Sequence, residues 1–194
     1  MNKFGRELMM ALMKRLPNSM DYVWSSRIEG AVELREMTTG HARVVIIIDC
    51  ETDAKTIAPI LDAIVRFIKS NEYFRRSNYS VFLWRDETFL PLSPLYVSAF
   101  GLRGHLEKIA EYNNASGSWE NFKERYKPYK KAGQAILITT AEKVAQLSEM
   151  RTIRANNLLL LYPRGDESEQ KKTAAGIPCI AYEGAFLGDR GEGI

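Results

Sequence analysis

Cysteine and histidine are scarce: two of each in 194 residues. Two cysteines far apart in the chain supply no disulfide framework, and two histidines without ligand spacing supply no Cys/His zinc site. Cys50 and Cys179 each lie in or beside an apolar stretch. They read as reduced core thiols, which favours a cytoplasmic location. His41 and His105 read as surface or turn residues. No apolar run approaches the roughly 20 residues that a membrane helix requires, so no membrane partner is expected. The amino-terminal stretch MNKFGRELMMALMKRLP is broken by charge, unlike the uninterrupted apolar segment of a signal peptide. With 13 Gly and 7 Pro, the chain also lacks the composition of a disordered protein. The formal net charge of +3 is too small to argue for nucleic acid by itself.

The residues present point to an α/β domain. Phe4, Leu8, Leu12 and Leu16 recur at helical spacing until Pro17, with Met9, Met10 and Met13 beside them. This predicts an amphipathic helix within residues 1–19. Its methionines form a candidate partner surface, because Met-rich faces adapt to varied shapes, and packing on its own domain is the other reading. Residues 20–187 then form one domain, and residues 188–194, GDRGEGI, a flexible tail. After an extended stretch through Val32 and Leu34 and a turn at residues 38–40, the run Val44 to Ile48 is apolar at every position, as in a central strand covered on both faces. TIAPILDAIVRFIK repeats apolar residues at i, i+3, i+4 and i+7, predicting a helix capped by Thr56 with Pro59 in its first turn. Strands follow at Tyr79 to Trp84, QAILITT, NLLLLY and IPCIAY, with a short one within RDETFLPL. Helices are expected over Arg103 to Tyr112, Trp119 to Tyr126 and AEKVAQLSEM. This alternation predicts a Rossmann-like, mostly parallel central sheet with helices on both faces.

The first central strand runs into three alternate acids, Asp49, Glu51 and Asp53. Ligands bind such sheets beyond the carboxyl ends of the strands, where this cluster sits. One reading is a site for a hard cation. The other is a strand end in which Asp49 accepts hydrogen bonds from the following loop while the other two acids are solvated. Cys50 has no nearby base and no phosphate loop, so it reads as a core thiol and not a nucleophile.

The order of elements, with VVIIIDCETD and the downstream NNASGSWENF and ILITTAEK, resembles the von Willebrand factor A fold over most of residues 27–183. That family carries Asp-x-Ser-x-Ser after its first strand as part of a metal-ion-dependent adhesion site. The resemblance places Asp49 at the Asp position, with Glu51 and Asp53 replacing the two serines. It offers Ser116 or Ser118 for the family's Thr, and Thr140 where its second Asp stands. EGAVELREM resembles a stretch that precedes the domain in some bacterial members. Added carboxylates would strengthen a hold on Mg²⁺, Mn²⁺ or Ca²⁺ and repel a partner's carboxylate, whereas losing the second Asp removes an anchor. The resemblance thus implies a degenerate metal site on a non-enzymatic interaction or assembly module, with a protein partner or larger complex.

Asp49-x-Glu51-Thr52 also resembles the first motif of proofreading-type exonucleases, which hold two metals for phosphodiester cleavage. The helix that follows suits a small PIN-related nuclease better, with Asp86, Glu87 and Glu142 as further acids. A nucleic-acid contact has a second source in KERYKPYKK, where Lys123, Arg125, Lys127, Lys130 and Lys131 alternate with tyrosines that could stack on bases. Arg75 and Arg76 form another basic spot. A solvated helix end is the alternative.

Overall fold

A computed structural model describes residues 7, 8, 10, 11, 43–70, 72–94, 97–106, 116–131, 134–150, 155, 157–163 and 173–182. It is a mixed α/β structure around an eight-stranded, mostly parallel sheet. The strands are β1 (Arg43–Asp49), β2 (Asn78–Arg85), β3 (Thr88–Pro91), β4 (Val97–Ser98), β5 (Gln134–Ile138), β6 (Leu158–Pro163), β7 (Thr173–Ala174) and β8 (Ile177–Tyr182). Their order is β3-β2-β1-β5-β6-β8-β7, with β4 also paired to β2. The pairs β1–β2, β1–β5, β5–β6 and β6–β8 are parallel. The additions β3, β4 and β7 are antiparallel. RDETFLPL contributes the hairpin strand β3 that its sequence suggested.

The helices are α1 (Ala54–Ser70), α2 (Glu72–Arg76), α3 (Leu102–Leu106), α4 (Trp119–Tyr126) and α5 (Ala141–Ser148), with a 3₁₀ turn over Lys127–Lys131. Successive side chains of a strand point to opposite faces, so β1 divides its apolar run between two layers. Val44, Ile46 and Ile48 pack with Ile57, Ile60, Leu61, Ile64 and Ile68 of α1 and with Leu102 and Leu106 of α3. Val45 and Ile47 pack with Phe122 and Tyr126 of α4 and with Val144 and Leu147 of α5. Burial on both faces is why alternation is missing from this strand.

Two details of the first helix differ from the sequence reading. Helix α1 starts before Thr56: the Ile57 N–H already bonds the Asp53 carbonyl at 3.0 Å. Pro59 therefore lies in the second turn, inside the helix. There it removes one backbone hydrogen bond, and the buried apolar stripe of α1 holds the helix regardless. Within the expected Arg103–Tyr112 helix, Leu102–Leu106 is helical and residues 107–112 fall outside the described residues. At the amino terminus, Glu7, Leu8, Met10 and Ala11 are helical. Leu8 is fully buried in the α1-side core and Met10 is exposed. Met9 and Met13 fall outside the described residues, as do EGAVELREM, the RGDESEQKK loop and the carboxyl-terminal tail. Among the described residues no helix is long and apolar enough to cross a membrane.

Candidate functional site

Numbered in chain order, the five parallel strands β1, β2, β5, β6 and β8 run 2-1-3-4-5 across the sheet. The order in which strands are added reverses between β1 and β5, and the crevice at such a switch point is where open α/β sheets place ligands. Asp49 ends β1 there, and Thr139 and Thr140 follow β5.

Asp49 continues the odd-numbered face of β1 and is fully buried. Thr139 Oγ1 donates to its Oδ2 at 2.6 Å, and the Glu51 N–H donates to Oδ1 at 3.0 Å. The Thr52 hydroxyl and N–H both donate to the Asp49 carbonyl, closing the loop upon itself. Burial raises the Asp49 pKa above the ordinary 3.8, against the opposing hydrogen bonds from Thr139, the Glu51 N–H and Ser116, and the Glu51 charge raises it further. Cys50, buried beside these acids, is pushed up to about 11, first by burial and then by Asp49, Glu51 and Asp86. It stays a thiol at neutral pH, as a core residue should.

Glu51 reaches the other way. Its Oε1 accepts the Ser116 N–H at 3.0 Å and lies 3.5 Å from Lys143 Nζ. That ammonium also donates to the Gly117 carbonyl at 3.0 Å and stands 5.2 Å from the centre of the Trp84 ring. The Lys143 carbonyl in turn accepts the Trp119 indole N–H at 3.0 Å. Ser116 also bridges to Asp86, next to the end of β2. The buried Ser116 Oγ makes no hydrogen bond of good geometry. Three loops that are distant in sequence are thereby tied together over the strand ends.

The expected ligands thus separate. Asp49, Glu51 and Ser116 come together, and Thr139 joins them in place of Thr140. Ser118 caps α4, accepting the Asn121 N–H, and Thr140 caps α5, accepting the Lys143 N–H. Asp53 is exposed, as are Asp86, Glu87 and Glu142. Among the described residues no three His, Cys, Asp or Glu side chains converge as metal ligands. The donor set also opposes a hard cation, because both Asp49 oxygens accept hydrogen bonds and Glu51 faces a fixed ammonium. As arranged, these residues do not fit a metal.

Thr139 and Lys143 join the site only through the fold, although the face each occupies follows from its spacing. Thr139 has the same parity as Ala135 and Leu137, and one step beyond the Ile48–Ile138 pairing brings it level with Asp49. Lys143 stands four residues before buried Leu147, on the inward face of α5.

The tyrosines of the basic segment pack toward the core. Tyr126 is buried and stacks on Phe122 at 5.5 Å, while Tyr129 packs 5.1 Å from Phe82. Arg125 donates to the Glu87 carbonyl and Lys127 pairs with Glu124. Lys123 is half-buried, Lys130 is exposed, and the Lys131 side chain falls outside the described set. Arg75 and Arg76 follow Phe74 in the opposite layer, so the two basic spots do not share a face. His105 uses its Nδ1–H on the Leu92 carbonyl at 3.0 Å.

The raised Asp49 pKa makes a signed prediction. A carboxyl whose folded value exceeds its unfolded value contributes stability that is complete below the unfolded value and lost as pH rises through the folded one. The stability of wild type relative to Asp49→Asn should therefore fall as pH increases above about 4. Urea unfolding of both proteins between pH 4 and 8 reads this difference, and a flat or rising difference contradicts it.

No protein-family model matches the chain, and no curated protein matches it in sequence.

Proposed function

We propose that this is a von Willebrand factor A-like protein-interaction or assembly module with a degenerate metal site. The order of elements and the position of Asp49 at the sheet's reversal point support the likeness. The observation that carries the non-enzymatic reading is the internal partnering of the acids: Asp49 with Thr139 and the Glu51 N–H, Glu51 with Ser116 and Lys143. Carboxylates already committed to protein donors are poorly placed to hold two metals for phosphodiester cleavage. The exposed rim adds Asp53, Asp86, Glu87, Glu120 and Glu142, a field that repels a phosphate backbone and attracts a basic protein surface. Both cysteines are buried thiols, in keeping with a cytoplasmic setting.

The test has two arms. Single- and double-stranded oligonucleotides with Mg²⁺ or Mn²⁺ should show no cleavage by wild type above that by Asp49→Asn. Turnover abolished in that variant would establish the nuclease instead. A partner recovered by crosslinking in cells should be lost with Asp53→Lys/Glu142→Lys and retained with Lys127→Glu/Lys130→Glu. Equal capture by both variants would remove the acidic rim as the docking face.

A further inference from the structure

We infer that the Lys143 ammonium is the built-in cation of this site, balancing Glu51 where a metal would otherwise do so and setting the carboxyl-end loops without a divalent ion. Lysine offers three donors and no acceptor, and at Lys143 its surroundings are all electron-rich. Glu51 Oε1 lies at 3.5 Å, the Gly117 carbonyl at 3.0 Å and the Trp84 ring centre at 5.2 Å. The side chain is 11 % exposed, so this charge is fixed within the protein and not displayed on it. Its backbone is anchored as well, because the Lys143 N–H is capped by Thr140 and its carbonyl holds Trp119. Lys143 thus joins α5, the residue 116–118 loop and the β1–α1 loop at one point.

The same oxygens explain why a divalent ion is excluded while the ammonium remains. Glu51 Oε1 and the Gly117 carbonyl are hard ligands of the kind Mg²⁺ and Ca²⁺ prefer. An ion entering among them would meet a positive charge that cannot withdraw without breaking its contacts to Glu51 and Gly117. Lys143→Met keeps the length and apolar stem of the side chain but removes the charge, leaving these oxygens without a cationic partner. The inference rests on the same Glu51–Lys143 contact as the interaction reading: a cation-dependent rise in wild type counts against both, whereas a Lys143→Met protein indifferent to cations overturns the inference alone.

Thermal unfolding with millimolar Mg²⁺, Mn²⁺ or Ca²⁺, each against EDTA, tests it. Wild type should show the same Tm in every buffer. Lys143→Met should melt lower in EDTA and regain about 5 °C with a cation present at roughly fifty times its Kd. A cation-dependent rise in wild type overturns the inference, and so does a folded Lys143→Met that ignores all three ions. Reductive methylation of the folded wild type needs no such variant. Lys143 should react several-fold more slowly than Lys127 and Lys130, and faster in Glu51→Gln. Reaction of wild-type Lys143 at the rate of Lys127 overturns it equally.

Discussion

Trp84→Ala should cost about 3–5 kcal/mol, the range for deleting a large buried aromatic side chain. For a chain of this length that is a fall in Tm of roughly 6–20 °C. Trp84 is fully buried near the end of β2, where it pairs in register with Asp49. Its ring lies 5.4 Å from Trp119 and 5.0 Å from Phe122, and those two rings are 5.3 Å apart. Phe89 and Tyr126 extend the cluster through Phe122. Alanine would leave a cavity under the first turn of α4 and remove the π face below the Lys143 ammonium, loosening core and site together. Trp84→Phe should lose far less. The Trp84 Nε1–H is buried with no acceptor, so phenylalanine discards an unpaired donor while keeping most of the ring contacts. Urea unfolding of the three proteins checks this ordering. An alanine variant within about 1 kcal/mol of wild type would refute the central place given to this ring.

The ring cluster also shows what the sequence discloses and what it conceals. Trp119, Phe122, Tyr126 and Tyr129 stand at i, i+3, i+7 and i+10, one continuous helical face. The lysines between those rings draw the eye to nucleic acid, whereas the spacing already assigns the tyrosines to the core. The strands are legible for an equally simple reason: burial on both faces demands uninterrupted apolar runs such as Val44–Ile48 and Leu158–Leu161. Asp49 is legible because a carboxylate directly after such a run must lie at the strand end. Its partner is harder to identify. Choosing Thr139 over Thr140 requires the register of β1 against β5, and no local pattern contains that pairing across 90 residues. Lys143 is concealed for the same reason: a lysine in the first turn of a helix ordinarily reads as solvated, and only the fold brings Glu51 and Trp84 to it. The start of α1 is misjudged because Thr56 and Pro59 resemble a helix opening, whereas the helix begins as the chain leaves the Asp49 loop.

Gly117→Ala should destabilise the site by about 3 kcal/mol, at the upper end of what overpacking costs, or roughly 6–12 °C in Tm. A Cβ on Gly117 would stand 1.9 Å from the Asp86 carbonyl oxygen, 3.0 Å from its carbon and 3.2 Å from Trp84 Nε1. The glycine is needed for room, since the obstacle is the backbone of the β2–β3 turn and not the far end of a pliable side chain. That turn cannot recede easily, because Asp86 is already held at φ 48° and bridged to Ser116. The 116–118 loop must move instead, carrying with it the Ser116 N–H that bonds Glu51 and the Gly117 carbonyl that bonds Lys143. Stability and site geometry should therefore fail together in this variant, with Lys143 becoming accessible to reductive methylation. Gly104→Ala is the control. No atom lies within 4 Å of its added Cβ, and in a helix the change should be neutral or stabilising by up to about 1 kcal/mol. Equal losses in the two variants would mean that glycine flexibility, and not the contact with Asp86, sets the requirement. A Gly117→Ala protein as stable as wild type, with Lys143 still protected, would show that the loop can leave the β2–β3 turn without disturbing the site.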